Sequence, residues 1–222
     1  LGTAMGAFFA GQIADRVGRV RVMLIASVMF TLSAIGSGLP IGLADFIIWR
    51  FIGGVAVGVA SVIAPAYIAE VAPARMRGRL GSLQQLAIVV GIFIALLSNF
   101  IIGHLAGSAD NKWLFGMEAW RWMFWSEIPP AVFYGLIALK IPESPRFLVA
   151  QKRESEAAII LERVGAATHV DEIRRTVMQE RKPKLGDIMG GKAGLLPIVW
   201  VGVALSALQQ FVGINVIFYY SS

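Results

Sequence analysis

Three carboxamides near the end of the chain, Gln209, Gln210 and Asn215, sit in an otherwise apolar segment that closes on Tyr219 and Tyr220. A carboxamide is costly to place in hydrocarbon unless it finds hydrogen-bond partners. It offers donors and an acceptor together, as a hydroxyl does, so a cluster of carboxamides matches a hydroxyl-rich solute. Gln209 and Gln210 are consecutive and face different directions on a helix; Gln210 and Asn215 form no clean stripe either, unless Gly213 loosens the helix between them. The competing role for this cluster is polar glue between helices.

The charged residues gather in short motifs. Gly11-Gln12-Ile13-Ala14-Asp15-Arg16-Val17-Gly18-Arg19 combines glycines that permit a tight turn with an acid, Asp15, able to pair with a helix end or a guanidinium. Glu70-Val71-Ala72-Pro73-Ala74-Arg75-Met76-Arg77-Gly78-Arg79 is a second, and Pro142-Glu143-Ser144-Pro145-Arg146-Phe147-Leu148 a third, where an apolar segment gives way to a polar one. Ordinary surface charge at helix ends is the alternative for all of them. Arg50 stands apart inside an apolar stretch, where an unpaired charge would cost up to ~2.5–3.5 kcal/mol at a bilayer centre. There is no cysteine, and His104 and His169 have no neighbours at metal-ligand spacing, so neither enzyme chemistry nor a cofactor or metal is expected.

The elements that position these residues are written in the hydropathy. Hydrophobic residues make up 57% of the chain and the mean hydropathy is +0.70, above the ~45–50% apolar content of soluble domains. Residues 22–43 and 80–102 carry no charge, and each exceeds the ~20 residues needed to cross a bilayer as helix. An all-α, multi-pass integral membrane protein is expected. Its spans are the end of one helix over 1–14, then 20–39, 44–69, 80–102, 120–141 and 194–222. Gly53, Gly54 and Gly58 allow close helix approach in the third, which Pro65 should kink. Trp113, Trp120, Trp122 and Trp125 mark an interfacial belt. Residues 142–192 carry helical periodicity with a charged face, as short amphipathic surface helices would.

The net charge of +6 is distributed by side: Arg16, Arg19 and Arg21 fall in one turn, Arg75, Arg77 and Arg79 in another, and more basic residues in 152–184. Intervening turns hold Asp45, or Asp110, Lys112 and Glu118. The positive-inside rule makes the basic turns cytoplasmic and removes the need for a nucleic-acid partner. Leu1 is no initiator and no signal peptide precedes the first segment, so the chain is expected to begin inside a helix.

These motifs, in this order, resemble the sugar porter family of the major facilitator superfamily, over residues 1–222 and from the family's second to its seventh spanning helix. The resemblance implies a fragment of a twelve-helix fold whose two halves rock around a central cavity. It divides the chain into an N-terminal bundle (1–141), a cytoplasmic helical linker (142–192) and the first helix of the second bundle (193–222). It implies a secondary transporter in the plasma (inner) membrane, moving a hexose or pentose by alternating access and needing the helices absent from this sequence. A non-transporting sugar sensor, or a truncated remnant, is the alternative on the same scaffold. Sugar contacts fall on Gln85, Gln209, Gln210 and Asn215, with Tyr219 near the outer gate. Arg19, Glu70, Arg77, Glu143 and Arg146, with Asp15 and Arg16 of the first motif, match an inter-helix ion-pair latch. Exposed pairs contribute only ~0–1 kcal/mol each, which suits a latch that opens repeatedly. Where the family has two adjacent basic residues, Val20 follows Arg19 here, leaving Arg21 as the substitute. Arg50 matches a residue that couples to a first-helix acid in proton symporters, a helix that lies upstream of this sequence; a structural pair near the outer interface is the other role. Ile92 replaces a glutamine of some bacterial xylose carriers, which weighs against xylose, and the sequence leaves proton coupling open.

Overall fold

The computed structural model describes residues 1–163, together with the helical positions 200–202, 204, 205 and 208. Gln209, Gln210, Asn215 and Tyr219, most of the expected linker and most of the last span lie outside the described residues. The chain divides into two units, Leu1–Met178 and Gln179–Ser222; the helices below belong to the first.

Among the described residues the regular structure is helical. The long elements are α1 (Gly2–Val17), α2 (Arg19–Gly38), α3 (Leu43–Val71) and α4 (Ala74–Ala106). Shorter ones follow: α5 (Ala119–Trp125), α6 (Ile128–Lys140), α7 (Pro145–Ala150) and α8 (Glu154–Arg163). Within the described residues α2, α3 and α4 are long and apolar enough to cross a membrane. α3 runs through Pro65 as one helix. The surface helices expected after residue 142 begin with α7 and α8, the latter packing Ala157 and Leu161 inward and its charges outward.

The expected span 120–141 holds α5 and α6, and only its hydrogen bonding lapses between them: Ser126 (φ −63°, ψ −15°) and Glu127 (φ −77°, ψ −17°) keep right-handed helical backbone angles. Pro129 and Pro130 have no N–H to return to the carbonyls of Trp125 and Ser126, and both are tolerated in the opening turn of α6.

Small residues set the packing. A Cβ at Gly6 of α1 would strike the Val55 backbone, and one at Gly58 of α3 would strike the Thr3 carbonyl, so α1 and α3 meet backbone to backbone. Ala10, Ala14, Ala26 and Ala138 join Val22, Met23, Val59 and Ile63 in the core between α1, α2, α3 and α6. Hydroxyls tie α2 to its neighbours: Ser33 Oγ donates to the Trp49 carbonyl at 2.7 Å, and Ser27 Oγ to the Ala131 carbonyl at 2.8 Å. No described side chain of α4 is fully buried.

The far end of α2 is held by Arg121 and the tryptophans around it. Arg121 Nη1 donates to the Gly38 carbonyl at 3.1 Å, its Nε pairs with Glu118 at 2.6 Å, and the guanidinium lies 4.8 Å from the Trp120 ring centre. The hydrogen bond from Arg121 holds the Glu118 carboxyl below the usual carboxylate range. Trp113 and Trp125 both meet Trp122 edge to face.

Candidate functional site: a buried charge cluster at the α1–α2 turn

Gly18, the only residue between α1 and α2, adopts φ +103° and ψ 154°, a region open essentially to glycine. The first N–H groups of α2 therefore emerge with no local side-chain cap. Glu143, distant in sequence, supplies one: its Oε1 accepts from the N–H of Arg19 at 2.9 Å and of Val20 at 3.2 Å, and from the Ser144 N–H at 2.9 Å. A carboxylate on a helix N-terminus is favourable both by hydrogen bonding and by the helix dipole. Glu143 Oε2 occupies the space a Cβ on Gly18 would need. Gly18→Ala is accordingly expected to destabilise the protein by ~1–3 kcal/mol. Gly11→Ala, where nothing lies within 4 Å, is the control. Thermal unfolding of the two variants checks this.

Arg19, the first residue of α2, projects its guanidinium back over the end of α1. Nη2 reaches Glu70 Oε1 and Asp15 Oδ1, each at 2.9 Å, and Nη1 donates to the Ala14 carbonyl at 3.1 Å. Arg19 and Glu70 side chains are 11% and 12% exposed, whereas Asp15 is 70% exposed. The Arg19–Glu70 pair is thus not the exposed contact expected from the sequence, and a buried pair is much costlier to break than a surface one. Glu70 Oε2 accepts from the hydroxyl of the buried Ser144. The Phe147 ring lies 5.9 Å from the guanidinium, and Tyr67 donates its hydroxyl to the Pro142 carbonyl at 2.8 Å. Four separate stretches, the ends of α1 and α3, the start of α2 and the turn into α7, are locked at one point.

Other charged residues of the motifs stand elsewhere. Arg77 Nε donates to the Ala72 carbonyl at 3.2 Å, bracing the turn from α3 to α4. Arg16 is exposed on α1 and makes no ion pair among the described residues. Arg146 is the second residue of α7. Gln85 is exposed on α4, with Ile92 two turns further along the same helix.

Arg50, on α3, lies 5.3 Å from the Phe124 ring centre and within electrostatic reach of Glu127 between α5 and α6. Glu127 borders a cavity of about 340 Å³ together with Phe30, Ala60, Ala131 and Tyr134. Sequence reasoning passed over Glu127, although it is the only charge in residues 122–139 and its isolation there was the available signal.

The family model "Sugar (and other) transporter" matches residues 1–222. The chain is 63% identical over 226 residues to the glucose transport protein of Synechocystis sp., covering 100% of this chain and 48% of that protein. It is 36% identical over 243 residues to the D-xylose-proton symporter of Escherichia coli K12, again with 100% and 48% coverage. A solved structure of a major facilitator superfamily proton:xylose symporter, bound to 6-bromo-6-deoxy-D-glucose, superimposes with a TM-score of 0.85 at 36% identity, over 99% of this chain and 49% of that one. The chain spans about half the length of the curated relatives it matches. It is an all-α integral membrane protein that belongs to the sugar (and other) transporter family of the major facilitator superfamily.

Proposed function

We propose that this chain forms part of a carrier that moves a monosaccharide across a membrane by alternating access. The observation that carries the proposal is the 63% identity, over the whole chain, with a glucose transport protein. In this account Gln85, Gln209, Gln210 and Asn215 hydrogen-bond sugar hydroxyls and Tyr219 closes over them from the outer side. The cluster of Asp15, Arg19, Glu70 and Glu143, with Arg16, Arg77 and Arg146 around it, latches the basic face, which lies in the cytoplasm. Residues 1–141 act as one bundle, 142–192 as the linker and 193–222 as the first helix of the second bundle.

Proton coupling is assigned to Arg50 and Glu127. Glu127 borders the cavity beside α6 and Arg50 acts on it electrostatically, so protonation of the acid would change the charge that the guanidinium faces. Counterflow of a panel of hexoses, pentoses and polyols into proteoliposomes, with the polypeptide in its natural full chain, tests the proposal. Saturable exchange that falls at least about tenfold in Gln210→Ala is expected, a buried hydrogen bond to the sugar being worth ~1.5 kcal/mol. Acceleration by an acid exterior that disappears in Glu127→Gln would support the coupling. No exchange of any sugar by well-folded protein would refute the transport assignment.

A further inference from the structure

α2 and α6 lie antiparallel, and their register is fixed at three levels. Glu143, just beyond α6, caps the start of α2; Ser27 meets Ala131 in the middle; Trp125 Nε1, just before α6, donates to the Ile35 carbonyl at 3.5 Å. A Cβ on Gly135 would strike Ser27 Oγ, so the two backbones draw together there. Beside this contact runs an open groove of about 310 Å³, walled by Leu24, Val28 and Leu32 of α2 and Val132, Leu136 and Leu139 of α6. These walls are apolar yet uncovered: Val28 is 57% exposed, Leu136 52% and Leu139 66%. The hydroxyl of Thr31, also in the groove, donates to the Ser27 carbonyl at 3.0 Å and leaves no unbonded hydrogen there.

Two cations stand at the end of the groove nearest Glu143. Arg21 precedes Leu24 by one turn and shares a face of α2 with Leu24, Val28 and Leu32; Lys140 follows Leu139 directly. Both are exposed, and neither makes an ion pair among the described residues. The neighbouring carboxylate, Glu143, is already engaged by backbone N–H groups. From Arg21 to Leu32 the groove runs ~16 Å along α2 at the helical rise, which is about half of a ~30 Å hydrocarbon core and so the depth of one leaflet.

We propose that this groove is a binding site for an anionic glycerophospholipid. One acyl chain lies between α2 and α6, and the phosphate is held by Arg21 and Lys140 at the basic end of the bundle. Apolar walls of one-leaflet depth select a lipid tail, and two cations with no ion pair among the described residues select a net negative headgroup over a zwitterionic one. The site lies apart from the Arg19–Glu70 cluster and does not depend on which solute the carrier moves.

The test is native mass spectrometry of the full-length carrier with phosphatidylglycerol and phosphatidylcholine of identical acyl chains. One retained phosphatidylglycerol per carrier is expected, preferred over phosphatidylcholine by about thirtyfold, the combined attraction of two basic side chains at a membrane surface. Arg21→Gln with Lys140→Gln should abolish the preference, whereas Lys152→Gln should leave it intact. Val28→Trp, which fills the groove from an exposed position, should lose the bound lipid of either headgroup. Undiminished preference in the double glutamine variant would overturn the proposal. So would Val28→Trp that keeps its lipid, or that instead disrupts contact with another helix or a second copy of the chain, because the groove would then have a protein occupant.

Discussion

Replacing Arg19 by alanine is expected to lower the stability of the protein by about 3–5 kcal/mol, the largest effect of any single charge change in the described residues. The side chain is 11% exposed and is the ion-pair partner of Glu70, itself 12% exposed. Removing it leaves a carboxylate out of water with only the Ser144 hydroxyl on its other oxygen, and strips the Ala14 carbonyl of its side-chain donor. Asp15 accepts from the same nitrogen at the same 2.9 Å, yet it is 70% exposed. Asp15→Asn should therefore cost no more than ~1 kcal/mol, since solvent already screens that contact. Adding Glu70→Gln to Arg19→Ala removes the orphaned charge and should recover part of the loss, so the two substitutions will be non-additive. Thermal midpoints of the three single variants and the double variant, read in one detergent, check this order. Equal losses for Arg19→Ala and Asp15→Asn would mean that burial does not separate the two pairs.

Gly58→Val is expected to be the most damaging steric change, because it forces apart two helices that touch through their backbones. The first added carbon would fall on the Thr3 carbonyl and within 2.8 Å of the Ala7 nitrogen, neither of which can rotate away. Overpacking costs ~1–3 kcal/mol where side chains can adjust. Here α1 as a whole must shift, so alanine should already reach that range and valine exceed it. Gly91→Val on α4 meets nothing within 4 Å and is the matched control. Monodispersity on size exclusion and the thermal midpoint report the difference. A well-behaved Gly58→Val protein would show that α1 and α3 are less closely apposed than their glycines imply.

The sequence disclosed the elements that obey periodicity and hydropathy. α2 and α4 match the charge-free stretches 22–43 and 80–102, α3 matches the apolar segment 44–69, and the glycines of α3 announced a close helix contact, which α1 makes. The lapse in helical hydrogen bonding between α5 and α6 was equally written, in Pro129 and Pro130, but a hydropathy average passes over two prolines because they do not lower apolarity. Arg19 and Glu70 were legible as charges at helix ends; that they are buried depends on how four stretches converge, which no local pattern contains. The role of Glu143 was hidden for a related reason. It serves backbone N–H groups more than a hundred residues away, and a capping residue is recognisable in sequence only beside its own helix. Arg50 was legible as an isolated membrane-level charge while Glu127 was passed over, and only the fold brings the two within electrostatic reach.

The measurement that bears most directly on alternating access is the two-sided accessibility of a cysteine at Ile92, on the helix that carries Gln85. The 222 residues contain no cysteine, and Ile92 is 37% exposed, so Ile92→Cys gives a single reporter within them. Membrane-impermeant thiol reagents would be applied from each face of vesicles holding the full-length carrier, with and without sugar, in the parent and in Glu70→Gln. The account predicts that Glu70→Gln, by weakening the latch, raises modification from the basic face and lowers it from the opposite face, and that a transported sugar protects the thiol. Modification from both faces unchanged by Glu70→Gln and indifferent to every sugar would contradict it.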